Sequence, residues 1–202
     1  MLKKIVFKKI SLFIAVTLMA LTFNAQAASA TTPTTALKSA VQAFISVATD
    51  KSLSREQKKT AITKVVENKM DLKVLSVRVV SRPWKKATKE ERAEFTRLFT
   101  KVVVNTYFSL LEKYTNEKVE YLKENIKKKK YAQITTNILM TDKKIPVTYK
   151  LIFRQGQWRI YDFSAEGISM VSTYKSDYKA SLKKGGLAEL NKVLNAKLQK
   201  AQ

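Results

Sequence analysis

The chain has no cysteine and no histidine among its 202 residues. Without cysteine it cannot form disulfides, so its stability has to come from a packed core. With both residue types missing, the commonest catalytic bases, nucleophiles and metal ligands are gone together, and any catalysis would fall to Asp, Glu, Lys or Tyr. Glycine numbers only 4 and is too dispersed for a phosphate-cradling loop. No serine stands in a G-x-S-x-G elbow. Acidic residues are also scarce, 16 against 39 Lys plus Arg, for a net charge of +23. So basic a chain implies an acidic partner or surface. Most of the charge is lysine, however, which equally suits a solvated, solubilising face.

One apolar run stands out near the start. Lys3, Lys4, Lys8 and Lys9 precede the stretch Leu12 to Phe23, and Ala25-Gln26-Ala27 follows it. The run is shorter than the ~18 to 20 residues a membrane span needs, and small residues close it, so it reads as a secretory signal peptide. Cleavage is expected after Ala27, with Ala30 as second choice, leaving +19 on the exported chain. Export makes nucleic acid a poor partner; anionic lipid headgroups and acidic protein surfaces fit better. Residues 28–35, small, polar and aperiodic, are expected to be a flexible mature N-terminus, and 36–202 a single domain. At 45% hydrophobic and 27% charged, the composition is globular rather than disordered.

Periodicity then divides that domain into helices followed by strands. Leu37, Val41, Phe44, Ile45 and Ala48 fall at helix spacing. Ser54-Arg-Glu-Gln57 is a capping box opening a second helix that buries Ala61, Ile62, Val65 and Val66. Leu72, Leu75, Val79 and Val80 predict a third, ended by Pro83. Thr88-Lys-Glu-Glu91 opens the longest, with Phe95, Leu98, Phe99, Val102, Val103, Tyr107, Leu110, Leu111 and Tyr114 on one broad apolar face. Period two follows over 118–123, 131–141, 145–154 and 158–165, with connections too short for parallel crossovers. The expectation is an α+β fold, helices packed on a curved antiparallel sheet of about four strands. A final helical part carries Ile168, Val171, Tyr174, Tyr178 and Leu182, broken at Gly185-Gly186 before a last amphipathic helix.

The most informative stretch is 158–178, WRIYDFSAEGISMVSTYKSDY, where a strand pattern gives way to a helical one across Glu166-Gly167. Asp162 and Glu166 are its only carboxylates before the helix. Glu166 is placed to accept from the first N–H groups of the Ile168 helix, Gly167 to supply backbone freedom for the turn, and Asp162 is a second candidate for the same capping role. An enzymatic alternative would use Asp162 as acid or base with a tyrosine, but no second polar catalytic group accompanies it. The basic run Lys127 to Lys130, with Tyr131 adjacent, invites a further alternative, an anionic-polymer-binding module, and equally a solvated hairpin tip.

The same stretch resembles the signature W-[KR]-x-Y-D-x-x-x-E-G-I-S-x-V-x-x-Y of the MlaC family of periplasmic phospholipid carriers in Gram-negative envelopes. NTYFSLLEKYTNEKV (105–119) and IPVTYKLIFRQGQWRIYD (145–162) are also similar to the family, in its order. The segment Arg78 to Trp84 departs from the pattern, which usually has Leu-Gly before the Trp. The resemblance implies a nuclear-transport-factor-like cone around an apolar pocket for acyl chains, no catalytic residues, no metal, and no cofactor beyond phospholipid as cargo. It also implies partners: an outer-membrane lipoprotein–porin complex, an inner-membrane MCE-type ABC transporter, and transient contact with membrane surfaces, in the service of outer-membrane lipid asymmetry. On this reading the pocket is expected to be lined by Phe99, Val103 and Tyr107 of the long helix, Ile134, Ile138, Val147, Tyr149, Leu151 and Phe153 of the strands, and Val171 and Tyr174 beyond the turn. Among these, Val147, Tyr149, Leu151 and Phe153 alternate most cleanly. In the next strand Trp158 and Ile160 share a face with Asp162, and Tyr161 and Phe163 share the other, unless a bulge swaps them.

Overall fold

A computed structural model describes residues 31–200. The expected signal peptide, 1–27, and its cleavage point lie outside the described residues. Helix α1 (Pro33–Thr49) starts inside the stretch read as flexible. The Thr32 hydroxyl accepts from the Thr35 N–H at 3.1 Å, Pro33 occupies the first turn, and Thr34 donates from its N–H and hydroxyl to Glu124. A cap and a tertiary anchor therefore order residues whose side chains carry no hydrophobic period.

Both capping boxes form as written, opening α2 (Arg55–Lys69) and α5 (Lys89–Glu112). Between them α3 (Leu72–Val80) begins at Asp71, whose carboxylate caps Val74 N–H and receives Arg154 at 3.2 Å. Pro83 does not end α3. The chain leaves that helix at Ser81, at φ 62°, and Pro83 instead opens the short α4 (Pro83–Lys86), where its missing N–H costs nothing.

Five strands follow, β1 (Lys118–Lys127), β2 (Tyr131–Leu139), β3 (Lys144–Arg154), β4 (Gln157–Ala165) and β5 (Ile168–Ser169), in the order β1-β2-β3-β4-β5, each pair antiparallel. The fifth takes residues expected to start the helix, which begins at Met170 instead: α6 (Met170–Asp177). Helix α7 (Lys179–Gln199) is kinked at Gly185 and Gly186, as the glycine pair predicts; Gly186 sits at φ 64°.

The core lies between the sheet and the helical layer. Phe95, Leu98 and Phe99 of α5 are at most 1% exposed, and α5 packs on α2 and α7 as well as on α1 and α3. Each such side chain contributes about 1.5–3 kcal/mol of burial. On β4 the register slips between the pairs Lys150–Asp162 and Leu151–Ile160, leaving Tyr161 in a bulge. The bulge puts Ile160 and Phe163 on the same, helix-facing side and turns Asp162 away from it.

Candidate functional site

Between the helical layer and the sheet, one end of the core opens into a cleft of about 280 Å³. Ala40, Val41 and Phe44 of α1, Ile62 and Val66 of α2, and Met70 form one wall. Val103, Val104, Tyr107, Leu110 and Leu111 of α5 form another, and Ile138, Tyr149, Ile160 and Phe163 of the sheet make the floor. None of these residues carries a charge. Leu110, 63% exposed, marks where the cleft meets solvent. A larger trough of about 670 Å³ runs between α2, α3 and α5, but Glu67, Lys73, Lys89, Arg92, Arg97 and Lys101 line it, so it is a solvated surface groove.

The only side-chain oxygen or nitrogen atoms the cleft residues bring are the hydroxyls of Tyr107 and Tyr149. Burial pushes both phenols up to about 12, with Tyr174 and then Asp162 adding to the shift at Tyr107, and Tyr121 adding to it at Tyr149. Both stay neutral at physiological pH. Since an unfolded tyrosine ionises near 10, a raised folded pKa means that these groups contribute stability in full below pH ~10 and lose it as pH rises towards about 12. Thermal unfolding followed against pH is expected to show that alkaline fall, and the double variant Tyr107→Phe, Tyr149→Phe to lessen it, the remainder coming from the other phenols that burial raises, Tyr121, Tyr174 and Tyr178; an unaltered alkaline limb would refute the assignment.

Four of the eleven residues expected to line a pocket meet in the cleft: Val103, Tyr107, Ile138 and Tyr149. The other seven lie elsewhere. Phe99 stacks on Phe95 at 5.2 Å and meets Tyr174 edge-on at 4.9 Å, and Tyr174 donates to the Thr106 hydroxyl at 3.1 Å, in an aromatic cluster completed by Tyr178. Ile134 and Leu151 are closed core, 1% and 0% exposed. Val147 is buried, Phe153 lies beside Trp158 at 5.3 Å, and Val171 packs against the core without reaching the cleft. Ile134 and Leu151 do face the helical layer, as their strand phase predicts, but facing inward is not the same as facing a space. The walls given by α1 and α2 were not expected. Their apolar faces were legible, but not which part of the sheet they would leave uncovered.

The strand-to-helix turn corrects the expected division of labour. Glu166, at φ 50°, is exposed and makes no cap; its N–H donates to Pro146 O at 3.0 Å. Gly167 takes φ 83°, the freedom expected of it. Ser169 is the N-cap of α6, its hydroxyl accepting from Ser172 N–H at 3.2 Å, and Asp162 completes the cap, accepting from Val171 N–H at 3.1 Å, from the Ser169 hydroxyl at 2.9 Å and from Lys150 Nζ at 2.9 Å. Three donors, none a tyrosine, hold the carboxylate that the enzymatic alternative requires. In the departing segment 78–84, Trp84 is a packing residue: it meets Phe95 edge-on at 6.3 Å, and the Arg92 guanidinium lies over its ring.

Among proteins already known, the model of the MlaC protein family matches residues 38–196. A Haemophilus influenzae protein, the intermembrane phospholipid transport system binding protein MlaC, is 23% identical over 126 residues. That match takes in 60% of this chain and 59% of the relative's length. A phospholipid-binding protein from Ralstonia solanacearum, solved in complex with a phospholipid, superposes with a TM-score of 0.73 over 83% of this chain and 97% of its own, at 20% identity. That likeness bears on the fold: α+β, helices on an open antiparallel sheet.

Proposed function

Because the chain belongs to the MlaC protein family, we propose that it carries phospholipid through the periplasm, taking acyl chain into the cleft and leaving the headgroup at the mouth by Leu110. The observation that carries this reading is the cleft itself, apolar on every wall, uncharged and open to solvent at one end. The names of the two relatives support it. The chemistry needed is modest. Two acyl chains hold about 30 methylenes, so at ~0.8 kcal/mol each a lipid crossing water unaided faces a barrier on the order of 20 kcal/mol. A dry cleft removes that barrier with no catalytic group and no cofactor, and a chain without histidine or cysteine can provide one.

At about 280 Å³ the cleft sits at the bottom of the range for small-molecule sites, so in this state it takes only part of a lipid. The exported protein then exchanges cargo with an outer-membrane lipoprotein–porin complex and an inner-membrane MCE-type transporter, with transient contact at the membrane surface, and so maintains outer-membrane lipid asymmetry. Organic extraction of protein purified from the cell envelope, followed by mass spectrometry, is expected to give close to one glycerophospholipid per chain. An extract no richer in lipid than that of an unrelated exported protein would overturn the proposal.

A further inference from the structure

The sheet has a second face, and it carries a basic hollow that shares no residue with the cleft. Strand alternation turns Lys150 and Gln133 to the side opposite Tyr149 and Ile134, away from the cleft. On that side a hollow of about 360 Å³ is bounded by Arg78 of α3, Lys127 and Lys128 of the β1–β2 turn, and Lys150 of β3, with Tyr131 and Tyr161 beneath. The side-chain amides of Asn125 and Gln133 add hydrogen-bonding groups.

Three features set this hollow apart from an ordinary lysine-rich surface. The first is uncompensated charge. Lys150 is engaged by Asp162, but Arg78, Lys127 and Lys128 form no salt bridge with any described residue. In the adjoining cross-strand row, Lys127–Tyr131–Ile152–Arg159, the Arg159 Nε is buried without a partner.

The second is a fixed guanidinium: Arg78 lies 4.3 Å from the centre of the Tyr161 ring, and the bulge in β4 is what brings that ring there. Stacking holds the group in place and leaves its N–H donors for an acceptor in the hollow.

The third is the backbone of the turn. Lys128 and Lys129 both sit in the left-handed region, at φ 53° and 51°, where Cβ crowds the following carbonyl and Asn or Gly is the usual occupant. At the same end of the sheet, the β3–β4 turn has Gln155 in that region, at φ 52°, but follows it with a glycine, Gly156 at φ 74°, where the β1–β2 turn has a second lysine. Lysine is a poor choice for folding here, and an observed outlier of this kind points to a use for the side chain.

We propose that this hollow is a binding site for a phosphate ester with a small polar body. Arginine and lysine together match the charge and the several oxygens of a phosphate. The hollow is too large for a lone ion and suits a small molecule, whose glycerol or sugar part rests on the tyrosines. A phospholipid headgroup at a membrane surface and a soluble sugar phosphate share this chemistry. The site lies across the sheet from the cleft and does not depend on the cleft holding lipid.

Titration calorimetry with sn-glycerol 3-phosphate and with inorganic pyrophosphate, at constant ionic strength made up with sodium chloride, tests the site. One saturable site per chain is expected, weakened about tenfold or more by Arg78→Gln and by the pair Lys127→Gln, Lys128→Gln. Lys128→Gly should lose affinity while raising the melting temperature, because it relieves the turn and removes the ligand contact together. Leu110→Asp, at the cleft, should leave this affinity unchanged, so failure here and failure of the carrier reading are separately visible.

Competition by phosphatidylglycerol vesicles but not phosphatidylcholine vesicles assigns the source to a membrane headgroup; binding of the soluble ester alone assigns it to a soluble phosphate. Either upholds the site. No heat beyond that of chloride, equal binding by the variants, or equally effective competition by polyglutamate would overturn it.

Discussion

Val103→Asp is expected to abolish copurifying lipid. Val103 lines the cleft and is 5% exposed, so a carboxylate there is either buried without a partner, at a cost of several kcal/mol, or draws water into the space an acyl chain should fill. The same cost can lower the folded population, so Leu110→Asp is the cleaner companion. Leu110 lies at the mouth and is 63% exposed; a charge there stays hydrated, the fold should survive, and lipid content should still fall severalfold. Leu151→Asp provides the contrast. At 0% exposure, inside the closed core, it should lose the fold itself and not selectively the cargo. Lipid per chain by mass spectrometry, alongside thermal unfolding, separates the three. Full lipid occupancy in folded Val103→Asp and Leu110→Asp would show that the cleft is not where lipid is held.

Asp162→Ala is expected to cost roughly 2–4 kcal/mol of stability, because it strips partners from the Val171 N–H, the Ser169 hydroxyl and Lys150 at once. For a domain of this length that is a fall in melting temperature on the order of 8 °C. Lys150→Ala should cost distinctly less. Its ammonium is partly solvated, 38% exposed on its side chain, and removing it leaves Asp162 with two donors. Denaturant or thermal melts of both variants decide the point: equal losses would make the ion pair, and not the cap on α6, the reason this carboxylate is buried.

How far the sequence could be read follows from the range over which each feature is encoded. The capping boxes at Ser54 and Thr88, the meander from 118 to 165 and the break at Gly185-Gly186 are written in residues three or four apart or in simple alternation. Each formed because its partners are its neighbours, although β1 runs on to Lys127, past the 118–123 expected, because pairing with β2 holds residues that show no alternation of their own. The stretch 158–178 located the strand-to-helix turn for the same reason. Even the bulge was available as an ambiguity, since Ile160 and Phe163 could share a face only if one residue were extra.

Four features depended on contacts that residues near in sequence cannot report. The start of α1 rests on Glu124, 90 residues further along the chain. The choice of Asp162 over Glu166 as the cap depends on the bulge, which turns Asp162 towards Lys150 and Ser169. Whether Val103 or Phe99 borders an opening depends on how closely α1, α2, α6 and α7 cover α5. Phe99 is enclosed by Tyr174 and Tyr178, while Val103, one turn on, is left beside a gap. The basic hollow joins Arg78 to Lys127 only because α3 packs beside β4. The sequence by itself determined which side chains point inward where the period is unbroken, as in α5 up to Val103 and in β3 at Tyr149 and Leu151, while on β4 the bulge decided it. Only the tertiary structure decided where inward-pointing side chains fail to meet, because a cleft is a gap between elements and is set by how they pack.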